Sequence, residues 1–154
     1  MPVALDSMVP NFTAASTGGD FTLSAQRGKT VVLYFYPKDN TPGCTTEGSD
    51  FGNANAEFAR ANATVAGVSR DTLQSHESFK AKMKFPFELI SDPDEALCEL
   101  FGVMKMKNMY GRQVLGVERS TFVIDGSGKL RKEWRGVKVP NHVDQVLAFV
   151  QSLT

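Results

Sequence analysis

Cysteine is scarce in this chain: Cys44 and Cys98 are the only two among 154 residues. Two thiols cannot staple a domain of this size, so a disulfide framework of the secreted type is excluded, and a reducing, cytoplasmic setting is expected. There is no Cys-x-x-Cys pair, no His-Glu-x-x-His and no paired-cysteine zinc pattern. A metal site is therefore not expected. The two histidines, His76 and His142, have no ligand spacing and read as surface or half-buried helix residues. Charge is balanced, with 17 Lys and Arg against 17 Asp and Glu. The basic residues are scattered, which excludes a nucleic-acid footprint and a polybasic membrane patch. No apolar run approaches the ~20 residues of a membrane span. The opening Met1-Pro-Val-Ala-Leu-Asp6 lacks the charged and apolar regions of a secretory signal. No internal repeat or low-complexity stretch interrupts the chain, and its length fits a single domain, 1–154.

The informative stretch is Tyr36-Pro-Lys-Asp-Asn-Thr-Pro-Gly-Cys44-Thr-Thr-Glu47. Before it, Thr30 to Tyr36 is nearly all β-branched or aromatic, the mark of a buried strand. Pro37 ends that strand, because proline donates nothing to a ladder. Thr41 is a good helix N-cap, and Pro42 suits the first helical position, where no N–H is needed. Cys44 then falls at the third position, among unpaired backbone N–H groups at the positive end of the helix dipole. Such a site favours the thiolate, the nucleophilic form of cysteine.

The rest of the chain reads as a frame for this stretch. Phe12-Thr-Ala and Phe21-Thr-Leu, separated by Gly18-Gly-Asp20, predict an N-terminal hairpin. The helix opened at Thr41 carries Phe51, Ala54 and Phe58 on one stripe and runs to Ala61–Asn62. A strand at 64–69 precedes a helix bearing Leu73, His76, Phe79 and Met83, with Asp71 and Gln74 as its capping box. A third strand at 87–91 leads to Asp92-Pro93-Asp-Glu95, read as a cap followed by proline at the first helical position, and that short helix ends at Gly102. Val103–Gly116 has no clean period and is taken as a loop or ribbon. In it Met104, Met106 and Met109 read as adaptable packing, and Tyr110 as part of a pocket rim. Arg119–Asp125 and Lys129–Trp134 form a strand pair, and Asn141 caps a last helix with Val143, Val146, Leu147, Val150 and Leu153 inward. Phe35, Phe85 and Phe122 read as core, and Trp134 as a packing residue.

That order predicts an α/β fold of the thioredoxin-like kind, with a mixed central sheet, helices on both faces and an N-terminal hairpin. Chemistry is expected at the carboxyl end of the central strand, where Cys44 lies. A thioredoxin-type thiol–disulfide oxidoreductase is disfavoured, because the second thiol of a Cys-x-x-Cys pair is what releases a mixed disulfide. A redox-sensing or holdase module, oxidised once without turnover, is the non-enzymatic alternative.

Pro37-x-x-x-Thr41-x-x-Cys44 resembles the signature of the peroxiredoxins. The wider string Tyr34 to Glu47, with Met109-Tyr-Gly111 and Glu118-Arg-Ser-Thr-Phe-Val-Ile-Asp125, resembles the bacterioferritin comigratory protein, or peroxiredoxin Q, branch. The resemblance implies a thiol-dependent peroxidase acting on hydrogen peroxide and organic hydroperoxides, with no cofactor. It implies that Cys44 is the peroxidatic cysteine, that Thr41 hydrogen-bonds the thiolate or the peroxide, and that Arg119 supplies fixed positive charge. Pro37 would shield the sulfur, and Glu47 would orient the arginine, although a first-turn acid favoured by the dipole is an equally simple reading. The implied partners are a hydroperoxide and a thiol reductant such as thioredoxin, glutaredoxin or glutathione, with the chain acting as a monomer. One departure matters. Many relatives carry a second cysteine five residues after the first, where this chain has Ser49; others carry it on the following helix, around Phe79-Lys-Ala81, where it has none. Cys98 lies in an apolar stripe with Leu97 and Phe101. A single-cysteine mechanism is therefore expected, with a Cys44–Cys98 disulfide as the alternative.

Overall fold

A computed structural model describes residues 2–153, apart from the Met109 side chain. The central sheet has five strands in the order β5-β4-β3-β8-β9. Strands β3 (Thr30–Phe35), β4 (Ala63–Ser69) and β5 (Glu88–Ser91) run parallel, whereas β8 (Ser120–Ile124) and β9 (Leu130–Arg135) complete the other half antiparallel. The predicted N-terminal hairpin is present as β1 (Thr13–Ala14) against β2 (Phe21–Thr22). The stretch after Val103 is a separate ribbon, β6 (Met104–Met109) paired with β7 (Arg112–Val117).

Alternation along β3 divides the core in two. Val31, Leu33 and Phe35 point to one face, with Phe21, Phe122 and the short helix α4 (Ala96–Phe101), which contributes Leu97, Cys98 and Phe101. Val32, Tyr34 and Tyr36 point to the other. There they meet α1 (Pro42–Asn53), α2 (Asn55–Arg60), α3 (Leu73–Met83) and α5 (His142–Ser152) through Cys44, Phe51, Phe58, Phe79 and Val146. Helices thus cover both faces, as an almost wholly apolar central strand requires.

Local signals were misread in several places. The helix opened at Thr41 does not run unbroken to Ala61; it turns at Ala54, in a stretch with Gly52, Asn53 and Asn55, all poor helix formers. The break lets Phe58 tilt in beside Phe51, with ring centroids 5.9 Å apart. The cap of α3 is Thr72, whose hydroxyl accepts from the Ser75 N–H at 3.1 Å, not Asp71, whose carboxylate is committed elsewhere. Pro93 does not open α4. Asp92 still caps that helix at a distance, accepting from the amides of Leu97 (3.0 Å) and Cys98 (2.9 Å), while Glu95 takes the N-cap position in a left-handed conformation. Asn141 is the N-cap of α5 but makes no side-chain capping bond.

Both histidines are buried, contrary to their reading as surface or half-buried residues. His142 meets the Thr121 hydroxyl at 2.8 Å and packs edge-on against Trp134, confirming that tryptophan as a packing residue. Met106 is largely exposed and Tyr110, at the ribbon tip, wholly so, which removes both from the packing and rim roles expected of them. Phe35, Phe85 and Phe122 are buried as expected.

Candidate active site

Strand β3 delivers the chain to the sheet's carboxyl edge, and six residues, 36–41, carry it into α1. Thr41 is the N-cap, in an extended conformation, and Pro42 is the first helical residue, so Cys44 stands third. The Thr41 carbonyl accepts the first intrahelical bond, from the Thr45 N–H at 2.9 Å. The sulfur is almost fully enclosed, with Cys44 2% exposed.

Strand β8 runs antiparallel to β3, with Ser120 opposite Phe35. Arg119, just before that strand, therefore arrives at the same edge as Cys44. One guanidinium nitrogen, Nη2, donates to Cys44 Sγ at 3.2 Å, and the other, Nη1, donates to Glu47 Oε1 at 2.5 Å. The fork thus bridges thiol and carboxylate, two points of attachment that fix its plane. Gly43 makes room for it: a Cβ at that position would lie 3.2 Å from Arg119 Nη2.

Glu47 is completely buried, and its Oε2 has no hydrogen-bond partner among the described residues. Burial raises its carboxyl from an ordinary 4.5 to about 7, against the opposing pull of Arg119. It is not a first-turn acid stabilised by the dipole. Burial works against the charge of Arg119, but Glu47 and Cys44 outweigh it and raise the guanidinium further, so it stays positive. His142 is pushed down to about 4 by burial first and by the charge of Arg119 second.

Of the five residues singled out from sequence, the structure brings Cys44, Arg119 and Glu47 into one bonded chain. Pro37 lies half-buried in the loop before α1. The Thr41 hydroxyl donates to the Lys38 carbonyl at 2.8 Å, closing the loop on itself and not reaching the sulfur. Sequence reasoning missed Asp39, Asp71 and His76, which meet beneath this loop. An aspartate inside a proline-bounded loop and a histidine 37 residues later carry no local signal of contact. Only the pairing of β3 with β4 brings them together.

Cys98 sits in the opposite core. Burial, then its proximity to the Asp92 carboxylate, raises its thiol far above the usual range, so it is held neutral. A surface cavity of about 460 Å³, bounded by Phe21, Lys29, Asn62, Val65 and Phe87, lies toward the amino ends of the parallel strands, away from the sulfur.

The chain is similar to known proteins over nearly its whole length. Residues 5–133 match the AhpC/TSA family. The chain is 55% identical over 137 residues to Peroxiredoxin Bcp of Xanthomonas campestris, covering 89% of this chain and 86% of that one. It is 43% identical over 155 residues to Peroxiredoxin Bcp of Bacillus subtilis, covering 100% and 99%. Among solved structures, a Xanthomonas campestris peroxiredoxin Q superposes with a TM-score of 0.88 at 53% identity, covering 92% of this chain and 90% of that one. A mutant PrxQ of Xylella fastidiosa superposes with a TM-score of 0.93 at 43% identity, covering 99% and 98%. A thioredoxin-like sheet with an arginine-bound cysteine at the head of its first long helix thus defines a thiol-dependent peroxidase. The chain belongs to the AhpC/TSA family, in its bacterioferritin comigratory protein, or peroxiredoxin Q, branch.

Proposed function

We propose that Cys44 reduces hydrogen peroxide and alkyl hydroperoxides by attack on the terminal oxygen, and that an external thiol recycles the product. The observation that carries the first half is the 3.2 Å contact between Arg119 Nη2 and Cys44 Sγ at the start of α1. The sulfur electron pair forms the S–O bond, the O–O bond breaks, and the leaving alkoxide or hydroxide takes a proton from solvent. Charge therefore moves from sulfur to the departing oxygen. Arg119 and the first-turn N–H groups are fixed donors beside that path, the arrangement that stabilises a transition state more than the ground state. Glu47 holds the plane of the guanidinium, and Pro37 limits water at the sulfur. The Thr41 hydroxyl, while donating to the Lys38 carbonyl, keeps lone pairs that accept from the peroxide O–H. Support for alkyl hydroperoxides as substrates comes from the Xanthomonas campestris bacterioferritin comigratory protein, 52% identical, which has alkyl peroxide reduction activity.

The second half is supported by the placement of the two thiols. Cys44 packs with Val32, Tyr34 and Tyr36, and Cys98 with Val31, Leu33 and Phe35, so the sheet stands between them. A disulfide needs Cα atoms within about 7 Å. The Cys44 sulfenic acid instead condenses with an external thiol, releasing water, and a second thiol frees Cys44 as the mixed disulfide is exchanged. Thioredoxin, glutaredoxin and glutathione fit this role, with the monomer as the working unit in a reducing compartment such as the cytoplasm. No helix among the described residues is long and apolar enough to cross a membrane.

Mass spectrometry of peroxide-treated protein tests the recycling route. A trapped sulfenic acid on Cys44, becoming a mixed disulfide on addition of thiol and supporting many turnovers, is expected. A Cys44–Cys98 disulfide would replace this route with the two-cysteine one, and a single oxidation without turnover would replace it with the sensor.

A further inference from the structure

The loop that carries Cys44 into position is short: Lys38 and Asn40 face solvent, while Asp39 between them is buried. Apart from a bond from the Tyr36 hydroxyl just after β3, the contacts that secure Asp39 lead into α3 and its approach. Its Oδ1 accepts from the Tyr36 hydroxyl at 2.6 Å. Its Oδ2 accepts from the Ser75 hydroxyl at 2.8 Å and meets His76 Nδ1 at 2.8 Å. Its backbone N–H donates to Asp71 Oδ2 at 2.9 Å. Asp71 is itself held by the Ser69 hydroxyl. His76, wholly buried, places Nε2 2.9 Å from the Ile90 carbonyl at the end of β5. Both ring nitrogens thus lie within hydrogen-bond distance of an oxygen, Asp39 Oδ2 and the Ile90 carbonyl. Burial works to raise the Asp39 carboxyl, but the bonds from His76, Tyr36 and Ser75 outweigh it and hold the group ionised.

We propose that Asp39 and His76 are positioning residues for peroxide reduction, a buried latch that clamps the loop before α1 onto α3 and β5 and so sets where Cys44 meets Arg119. The latch works through its neighbours. Lys38 supplies the carbonyl that receives the Thr41 hydroxyl, and Asn40 links Asp39 to Thr41 in a left-handed conformation. Thr41 is the N-cap whose carbonyl starts α1, two residues before Gly43. Release of Asp39 therefore frees the Lys38–Thr41 closure and the first turn together, and with them the sulfur. No residue of the latch touches Cys44 or Arg119 through any described bond, so a role by direct contact with substrate is not part of it.

The test is single-turnover oxidation by a hydroperoxide, followed by quenched alkylation of the remaining thiol, in folded variants well below their melting temperatures. His76→Leu, which cannot donate, should lower the rate constant by about tenfold or more, because a displacement near 1 Å is worth roughly 10²-fold. His76→Asn keeps an N–H directed at Asp39 and should recover most of that loss. Equal slowing in the Asn and Leu variants, or a wild-type rate in a folded His76→Leu, would overturn the proposal. If His76→Leu does not fold, Tyr36→Phe decides, since it removes one donor to Asp39 and keeps the ring packing. A drop of about threefold is expected there, and no drop sinks the latch. The proposal rests on Cys44 being the reacting sulfur, and the two fail differently: a wild type whose Cys44 resists oxidation ends that reading, whereas normal oxidation in the variants ends only the latch.

Discussion

Gly43→Ala separates catalysis from stability in this protein because it should move them in opposite directions. The added methyl would stand 3.2 Å from Arg119 Nη2 and 3.9 Å from Cζ. A contact that short forces the guanidinium to yield by a few tenths of an ångström. It has little freedom to do so, since Nη1 is bound to Glu47 and Nη2 to the sulfur. The weaker of the two attachments, the 3.2 Å bond to Cys44, is the one that lengthens. Scaling from roughly 10²-fold per 1 Å of misplacement, a shift of ~0.3 Å slows peroxide attack about fourfold. Meanwhile alanine is favoured over glycine within a helix by up to ~1 kcal/mol, so thermal stability should hold or rise. The assay pairs the single-turnover oxidation rate with the midpoint of thermal unfolding. A faster or unchanged oxidation rate in a stabilised Gly43→Ala protein would show that the Arg119–Cys44 contact does not govern the chemistry.

Elsewhere, Gly48→Ala should destabilise by about 1–3 kcal/mol through overpacking, because the new Cβ would lie 2.5 Å from Phe85 Cζ and 2.9 Å from Cε1; denaturant melts that match wild type would contradict the α1–Phe85 packing. Glu47 and His142 should tilt the pH dependence of stability in opposite senses. Glu47 binds its proton more tightly folded than unfolded, so its share of stability is full below pH 4.5 and is lost as pH rises to about 7. His142 binds its proton less tightly folded, so its share is full above pH 6.5 and is lost as pH falls to about 4. Each span is worth up to about 3 kcal/mol, and in the wild type they largely cancel. Urea melts across pH 4–7 should show stability rising with pH in Glu47→Gln and falling with pH in His142→Gln; parallel profiles in the two variants would refute the assignment.

Much of this architecture was legible in the sequence because it depends on short-range chemistry. The apolar run at Thr30–Tyr36, the Thr41-Pro42 helix start and the third-position cysteine each follow from neighbours in the chain, and the structure repeats them. The resemblance placed Arg119 beside the cysteine from 75 residues away, which no local rule would have done, whereas Glu47 lies one helical turn on from Cys44. The misreadings share a cause. Asp71 has the right spacing for a cap, yet its carboxylate serves Asp39, and Thr72 caps instead. Asp92 reaches past Pro93 to the amides of Leu97 and Cys98, so the helix begins later than its proline suggests. His76 reads as a helix surface residue until β5 supplies the Ile90 carbonyl that buries it satisfactorily. For Asp71 and His76 a partner distant in the chain outbid the nearest one, and for Asp92 one just beyond the expected helix start did so.

The account rests on the guanidinium of Arg119 assisting departure of the peroxide oxygen from a sulfur fixed at the head of α1. The most direct measurement is the second-order rate constant for oxidation of Cys44 by hydrogen peroxide in Arg119→Ala, with Cys44→Ser as the blank. Loss of one fixed donor to developing charge predicts a fall of about 10²–10³-fold in Arg119→Ala, and no rapid thiol loss in Cys44→Ser. A rate in Arg119→Ala within about threefold of wild type, far from the loss expected of such a donor, would contradict it.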